Sequence, residues 1–260
     1  MEEALTFRDR HGHHVAAILS RPNEATSRLA VLCHGFLSGK NSTTNKTLTS
    51  LLNEQGLATL RFDFFGQGES DGPFEAITTT LAIAQTEAAL DLVAAKGYDR
   101  IGLVGSSFGG LVAILTTARR QDVTCLALKC PVVDFAEELR VTFGPEELAR
   151  WQATDTIPNI MGGLDRVRLQ YGFYEDCLEQ IAYRPAERIT VPTLIVQGEQ
   201  DECVPLHQSR RLHEALGGLK RLDLLPGADH QFTRGEDFLQ MTTSISEWLV
   251  RHLMTEDKIV

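Results

Sequence analysis

Along the chain, apolar residues fall into two distinct periodicities. Leu29-Ala30-Val31-Leu32-Cys33 is a continuous apolar run, as are Ile101–Val104, Val123–Leu128 and Leu194–Val196, while Leu60–Phe64 is partly so. Runs of this kind fit parallel strands covered on both faces. Between them lie helical patterns. From Ile77 to Lys96, the positions Ile77, Leu81, Ala84, Ala88 and Leu92 form one stripe, and Gly97 follows as a cap. The segment Phe108–Leu115 is apolar all round, which predicts a helix buried in the centre of the molecule. Phe238, Met241, Ile245, Trp248 and Leu249 predict a last amphipathic helix, placed to cover the sheet or to line a homodimer interface. At the start, Leu5–Arg8 and His14–Leu19, split by a turn at Gly12, read as an edge hairpin.

Alternation of strand and helix predicts an α/β fold with a mostly parallel, twisted sheet and helices on both faces. From 131 to 185 the alternation stops: no convincing strand is visible, only short, partly helical pieces. A structureless loop of that length does not suit a compact domain, so the segment reads as a helical cap inserted into a core of residues 1–130 and 186–260. Nothing splits the chain further.

Composition narrows the function classes. With 260 residues and 43% hydrophobic content, the chain can bury a sizeable core. A formal charge of −10 argues against a nucleic-acid partner and against anionic membrane surfaces. No apolar run approaches the roughly 20 residues of a membrane span, so no integral membrane association is expected. The acidic start, Met1-Glu2-Glu3-Ala4-Leu5, does not read as a secretory signal, which places the protein in the cytoplasm. Five scattered cysteines form neither a disulfide framework nor a Cys-x-x-Cys zinc motif, and no metal is expected.

The chemistry concentrates at Gly105-Ser106-Ser107-Phe108-Gly109, a Gly-x-Ser-x-Gly motif between a strand and a buried helix. Small residues let the backbone turn sharply there and present Ser107 as a nucleophile at the helix N-terminus. A serine hydroxyl needs a base. Of eight histidines, His11, His13 and His14 crowd the hairpin turn, His207 and His213 lie on a polar helix, and His252 is near the end. His230, after the strand-like run Leu222–Leu225, occupies a loop at the carboxyl edge of the sheet. Asp201, after Leu194–Val196, is the preferred acid, with Glu199, Glu202 and Asp134 as alternatives. Two backbone donors are needed for an oxyanion hole, and Phe108 and Phe36 are placed to supply them, with Gly35 permitting the turn before Phe36. His34 is read as a supporting hydrogen-bonding residue.

Gly35–Lys40 falls one residue short of a phosphate-binding loop, and the third glycine of Gly66–Gly72 is displaced from the dinucleotide fingerprint, so no cofactor is expected. These residues, with His34-Gly35-Phe36, Asp63–Ser70, Gly198…Asp201…Val204-Pro205 and Gly227…His230, resemble the α/β-hydrolase superfamily over nearly the whole chain. Within it the chain resembles small bacterial carboxylesterases of the cinnamoyl or feruloyl esterase and serine aminopeptidase-like group. That resemblance implies a carboxylic ester substrate, an acyl-enzyme on Ser107, and substrate contacts in the cap from Asp134 and from Tyr174 in Tyr171-Gly172-Phe173-Tyr174. Thioesters, peptides, or a ligand held without turnover are the alternatives. Phe135, Phe143, Trp151, Ile160, Met161 and Phe173 suit either an apolar substrate group or the packing of the cap itself.

Overall fold

A computed structural model describes residues 1–157, 159 and 167–255. The chain opens with a hairpin, β1 (Glu2–Arg8) and β2 (His14–Ser20), paired antiparallel from Glu2↔Ser20 to Arg8↔His14. Strand and helix then alternate: β3 (Arg28–Cys33), α1 (Thr43–Glu54), β4 (Ala58–Phe62), α2 (Thr79–Ala95), β5 (Arg100–Ser106), α3 (Phe108–Thr117) and β6 (Val123–Lys129). The chain next leaves the sheet for α4 (Phe135–Thr154), a two-residue ladder of β7 (Thr156–Ile157) with β8 (Leu169–Gln170), α5 (Gly172–Glu179) and α6 (Tyr183–Ala186). It returns through β9 (Thr193–Gly198), α7 (Leu206–Ala215), β10 (Lys220–Leu225) and α8 (Gly235–Met254).

Eight strands form one sheet in the order β1-β2-β4-β3-β5-β6-β9-β10. Pairings β1–β2 and β2–β4 are antiparallel, and every later one is parallel. The continuous apolar runs are explained by burial on both faces. In β3, Leu29, Val31 and Cys33 join the core formed with α2 and α3, whereas Ala30 and Leu32 join the core formed with α1 and α8. Each such fully buried aliphatic side chain contributes roughly 1.5–3 kcal/mol. The apolar stripe of α8 is used against its own sheet and α1: Met241, Ile245, Leu249 and Leu253 are all fully enclosed.

Two sequence expectations are corrected here. The buried positions of α2 are Thr79, Ala82–Thr86, Ala89, Leu90 and Val93, while Leu81, Ala88 and Leu92 are half-buried. This helix packs against α3, α5, β1 and β3, so a single stripe understates its contacts. The segment after β6 is also more regular than short pieces suggest. Its main feature is the 20-residue α4, broken where Gly144 adopts φ 68° just before Pro145. The β7–β8 ladder is too short to show any periodicity. Trp151 ties α4 to that ladder, its Nε1–H donating to Leu169 O at 2.9 Å. The apolar residues Ile160 and Met161 lie outside the described residues.

The chain runs from β3 to β4 on one side and then crosses to β5 on the other. The order therefore reverses at the carboxyl ends of β3 and β5, which is where ligand sites form in open α/β sheets.

Candidate active site

Ser107 stands at that reversal, between the end of β5 and the first turn of α3. Its backbone lies at φ 53°, ψ −118°, a conformation that costs a non-glycine residue about 1–3 kcal/mol. Four hydrogen bonds hold it there. Ser107 N–H donates to Lys129 O at 2.9 Å, and Ser107 O accepts from the N–H groups of Gly110, Leu111 and Val132 at 2.8, 3.3 and 3.1 Å. The flanking glycines have no room for a side chain: a Cβ on Gly105 would lie 2.4 Å from Gly109 O, and one on Gly109 would lie 2.4 Å from both Cys33 O and His34 O. The motif spacing is thus a packing requirement of strand, turn and helix.

His230 follows β10 and is almost fully buried. Its Nδ1 lies 2.8 and 3.0 Å from the two carboxylate oxygens of Asp201, which follows β9. With Nδ1–H donating to the carboxylate, Nε2 is left as an acceptor, the state a general base requires. Asp201 also accepts from Gln197 Nε2 at 2.8 Å and from the N–H groups of Cys203 and Val204 at 2.9 and 2.8 Å. Burial works to raise its pKa, but the hydrogen bond and charge of His230, with the Val204 N–H, outweigh it and hold Asp201 below the usual carboxylate range. Of the carboxylates left open by the sequence, Asp201 is the one that meets the imidazole. Glu202 instead accepts from the His230 backbone N–H at 3.1 Å. Glu199 is exposed, and Asp134 caps α4.

Ser107 and His230 line one cavity of about 440 Å³ together with His34, Gly35, Phe36 and Lys129. Among the described residues, no group hydrogen-bonds to Ser107 Oγ. The loop after β3 runs directly beside it: a Cβ on Gly35 would lie 3.4 Å from Ser107 Cβ. Gly35 therefore matters for close approach, whereas the left-handed residue of this loop is Leu37, at φ 54°. Neither Phe36 N–H nor Phe108 N–H donates to another group among the described residues, so both remain available beside Ser107. His34 anchors the loop, with Nε2 accepting from Phe64 N–H at 3.0 Å and Nδ1 2.7 Å from Gly35 O. Lys40, fully within the structure, pairs with Asp63 and Glu69 at 2.5 Å each, so the glycine-rich loops are held by an internal ion pair.

Three groups near Asp201 were not singled out by sequence reasoning. Lys129 lines the cavity and its Nζ donates to His230 O, Cys130 sits beside Asp201, and Glu138 of α4 has a carboxyl oxygen enclosed without a hydrogen-bond partner. A lysine ending the apolar run Val123–Leu128 at the carboxyl edge of a strand was the available signal for the first. Cys130 Sγ, Asp201 and His230 lie close enough together to be the one candidate metal set among the described residues. Burial pushes the Cys130 thiol strongly upward, which opposes the thiolate a metal would need.

The two cap positions implied by family resemblance are placed elsewhere. Asp134 accepts from Glu137 N–H at 2.8 Å as the N-cap of α4, and its own N–H donates to Gln208. Tyr174 is buried in a group of rings with Trp151 and Tyr171, at centroid distances of 6.3 and 5.6 Å. Neither residue lines the Ser107 cavity. Phe173, by contrast, packs against Phe36, Phe108 and Phe135 behind that cavity's wall.

A family model described as the alpha/beta hydrolase family matches residues 30–240. The uncharacterized 31.7 kDa protein of the traX-finO intergenic region of Escherichia coli is 27% identical over 96% of each chain. Serine hydrolase BPHL of Homo sapiens is 25% identical, covering 73% of this chain and 72% of its own. Among solved structures, Est1E from Butyrivibrio proteoclasticus with bound ferulic acid superposes with a TM-score of 0.85 at 24% identity, over 97% of this chain and all of that one.

Proposed function

This chain belongs to the alpha/beta hydrolase family, and from that premise we propose that it is a serine carboxylesterase acting on small to medium carboxylic esters, hydroxycinnamates among them. One observation carries the reading: a strained serine at the strand–helix turn shares a cavity with a histidine whose far nitrogen is locked by a buried aspartate. Similarity to serine hydrolase BPHL supports the same assignment.

In the proposed reaction, Ser107 Oγ attacks the ester carbonyl as His230 Nε2 takes its proton. Asp201 keeps the imidazole in the required tautomer and stabilises the imidazolium. Charge building on the carbonyl oxygen is received by the Phe36 and Phe108 N–H groups, helped by the N-terminus of α3. His230 then returns the proton to the leaving alcohol. A water, deprotonated by the same nitrogen, attacks the acyl-enzyme and releases the acid and free Ser107. The serine–histidine hydrogen bond forms on substrate binding, since such contacts are commonly loose in an unliganded site.

The segment between β6 and β9 acts as the cap in this reading. It supports the cavity through Phe135 and Phe173, which back the half-buried Phe36 ring, the apolar wall for the acyl or aromatic group. Asp134 and Tyr174 hold the cap together. All five cysteines are free thiols, consistent with the cytoplasmic setting we assign.

The test is steady-state hydrolysis of p-nitrophenyl esters from acetate to laurate, and of methyl ferulate, by the wild type and Ser107→Ala. Turnover should fall by a factor on the order of 10⁶ in the variant. No hydrolysis of any ester by the wild type would move the assignment to thioesters, peptides or a non-turnover ligand. Undiminished hydrolysis by Ser107→Ala would remove the serine mechanism.

A further inference from the structure

The Ser107 cavity has polar lining that the reaction does not use. Besides Ser107 and His230 it is lined by Ser38, Ser42, Thr43, Thr44, Thr233 and Lys129. Lys129 is only 4% exposed, and its Nζ makes one hydrogen bond, to His230 O at 2.8 Å. Nζ also lies over the face of Phe232, 5.4 Å from the ring centroid. Two ammonium donors are left over, and no carboxylate forms an ion pair with it among the described residues.

The nearest acids are committed elsewhere. Asp201 is held by His230, Gln197 and two backbone N–H groups, and the half-buried Asp229 is bonded by Thr233. In a chain of net charge −10, a buried cation without a paired acid stands out. The opposite wall adds to the positive field. Ser42 caps α1 and satisfies the Asn45 N–H, α1 has no acid in its first turn, and Thr43 and Thr44, whose N–H groups have no hydrogen-bond partner among the described residues, line the same cavity. Burial depresses the pKa of Lys129, a penalty that an anion arriving beside it would relieve.

We propose that Lys129 and the first turn of α1 form an anion subsite, so that the preferred ester carries a carboxylate or phosphate on one arm. This rests on Ser107 being the reacting group only for the position of the ester; the anion itself is bound by residues outside the reaction. Lys129 is then a specificity-determining residue for that arm.

The experiment compares kcat/KM for charged and neutral esters of matched size in the wild type, Lys129→Met and Lys129→Arg. Mono-p-nitrophenyl glutarate against p-nitrophenyl valerate probes the acyl arm, and 4-acetoxybenzoate against its methyl ester probes the alcohol arm. The wild type should favour the charged ester of one pair by roughly ten- to a hundredfold, the scale of a charge-assisted hydrogen bond. Lys129→Met should lose that ratio and Lys129→Arg should keep most of it. The ratio cancels any shift of His230 caused by losing the bond to its carbonyl. Competition by glutarate or by inorganic phosphate against valerate identifies the anion. Brisk turnover with no charge preference in either pair, or a preference that survives Lys129→Met, overturns the subsite while leaving the esterase intact. If no ester turns over, the esterase reading fails, and the thermal shift decides the subsite: glutarate or phosphate should raise the wild-type Tm and not that of Lys129→Met, and no rise with either overturns it.

Discussion

His34 shows how much one residue beside the site depends on its protonation state. Its Nε2 accepts from Phe64 N–H while Nδ1–H donates to Gly35 O, so the neutral ring satisfies both partners and a second proton would face a donor. Burial accordingly lowers its pKa to about 4. The unfolded histidine, at about 6.5, binds a proton that the folded one refuses, so the stabilising effect is complete above pH 6.5 and is lost as pH falls toward 4. Between pH 7 and pH 5 this amounts to about 2 kcal/mol. Urea unfolding of the wild type and His34→Asn at both values checks it: the wild type should lose about 2 kcal/mol more than the variant over that interval. Equal losses would show that His34 is not buried in the neutral form. At this scale the sequence was informative where a motif fixes a residue's place in the fold, as for Ser107 at the strand–helix turn and His230 at the carboxyl edge of the sheet. It was least informative where a side chain's neighbours come from distant elements. Lys129 meets His230 across a hundred residues, and nothing in either local segment announces the contact.

At the scale of elements, the strand–turn–helix around Ser107 is the most constrained piece of the molecule. Gly109 is pressed against the carbonyls of Cys33 and His34, the loop that carries Phe36. Gly109→Ala should therefore push the loop that carries Phe36, an oxyanion donor in the proposed reaction, away from the serine as well as strain the core. Overpacking of this kind costs about 1–3 kcal/mol, and a misplaced donor costs about 10²–10³ in kcat. Thermal unfolding and kcat measured together would separate the effects, and near-normal values of both would contradict the tight contact. Elements with strong periodicity were legible: the hairpin, the parallel strands, and the buried α3 that follows the serine. The α2 stripe was misjudged because tertiary contacts come from several sides, and alanine and threonine on a buried face carry little hydrophobic signal. The β7–β8 ladder was invisible because two residues per strand have no period. The kink of α4, by contrast, sits at a Gly-Pro step that sequence rules do mark as a break.

For the molecule as a whole, the sheet order brings together residues that are far apart in sequence. The reversal between β3 and β5 sets Phe36 beside Ser107, and the neighbouring β6, β9 and β10 deliver Lys129, Asp201 and His230 to the same edge. The order of these segments along the chain made that convergence readable, because each follows a strand-like run and the carboxyl edge of such a sheet is where loops meet. The cap contacts were not readable in the same way. Tyr174 and Asp134 matched a family pattern by short stretches of sequence, and their side chains are engaged in ring packing and helix capping. Similarity in the core is enforced by topology, while an inserted segment is free to assign its side chains to other contacts.

The central claim is that Ser107 is the nucleophile activated by His230. Its most direct test is incubation with a fluorophosphonate, followed by intact mass and peptide mapping of the wild type, Ser107→Ala and His230→Ala. A single adduct on Ser107, absent from the first variant and strongly slowed in the second, is the expected result. An adduct on another residue, or labelling of the wild type no faster than of His230→Ala, would contradict it.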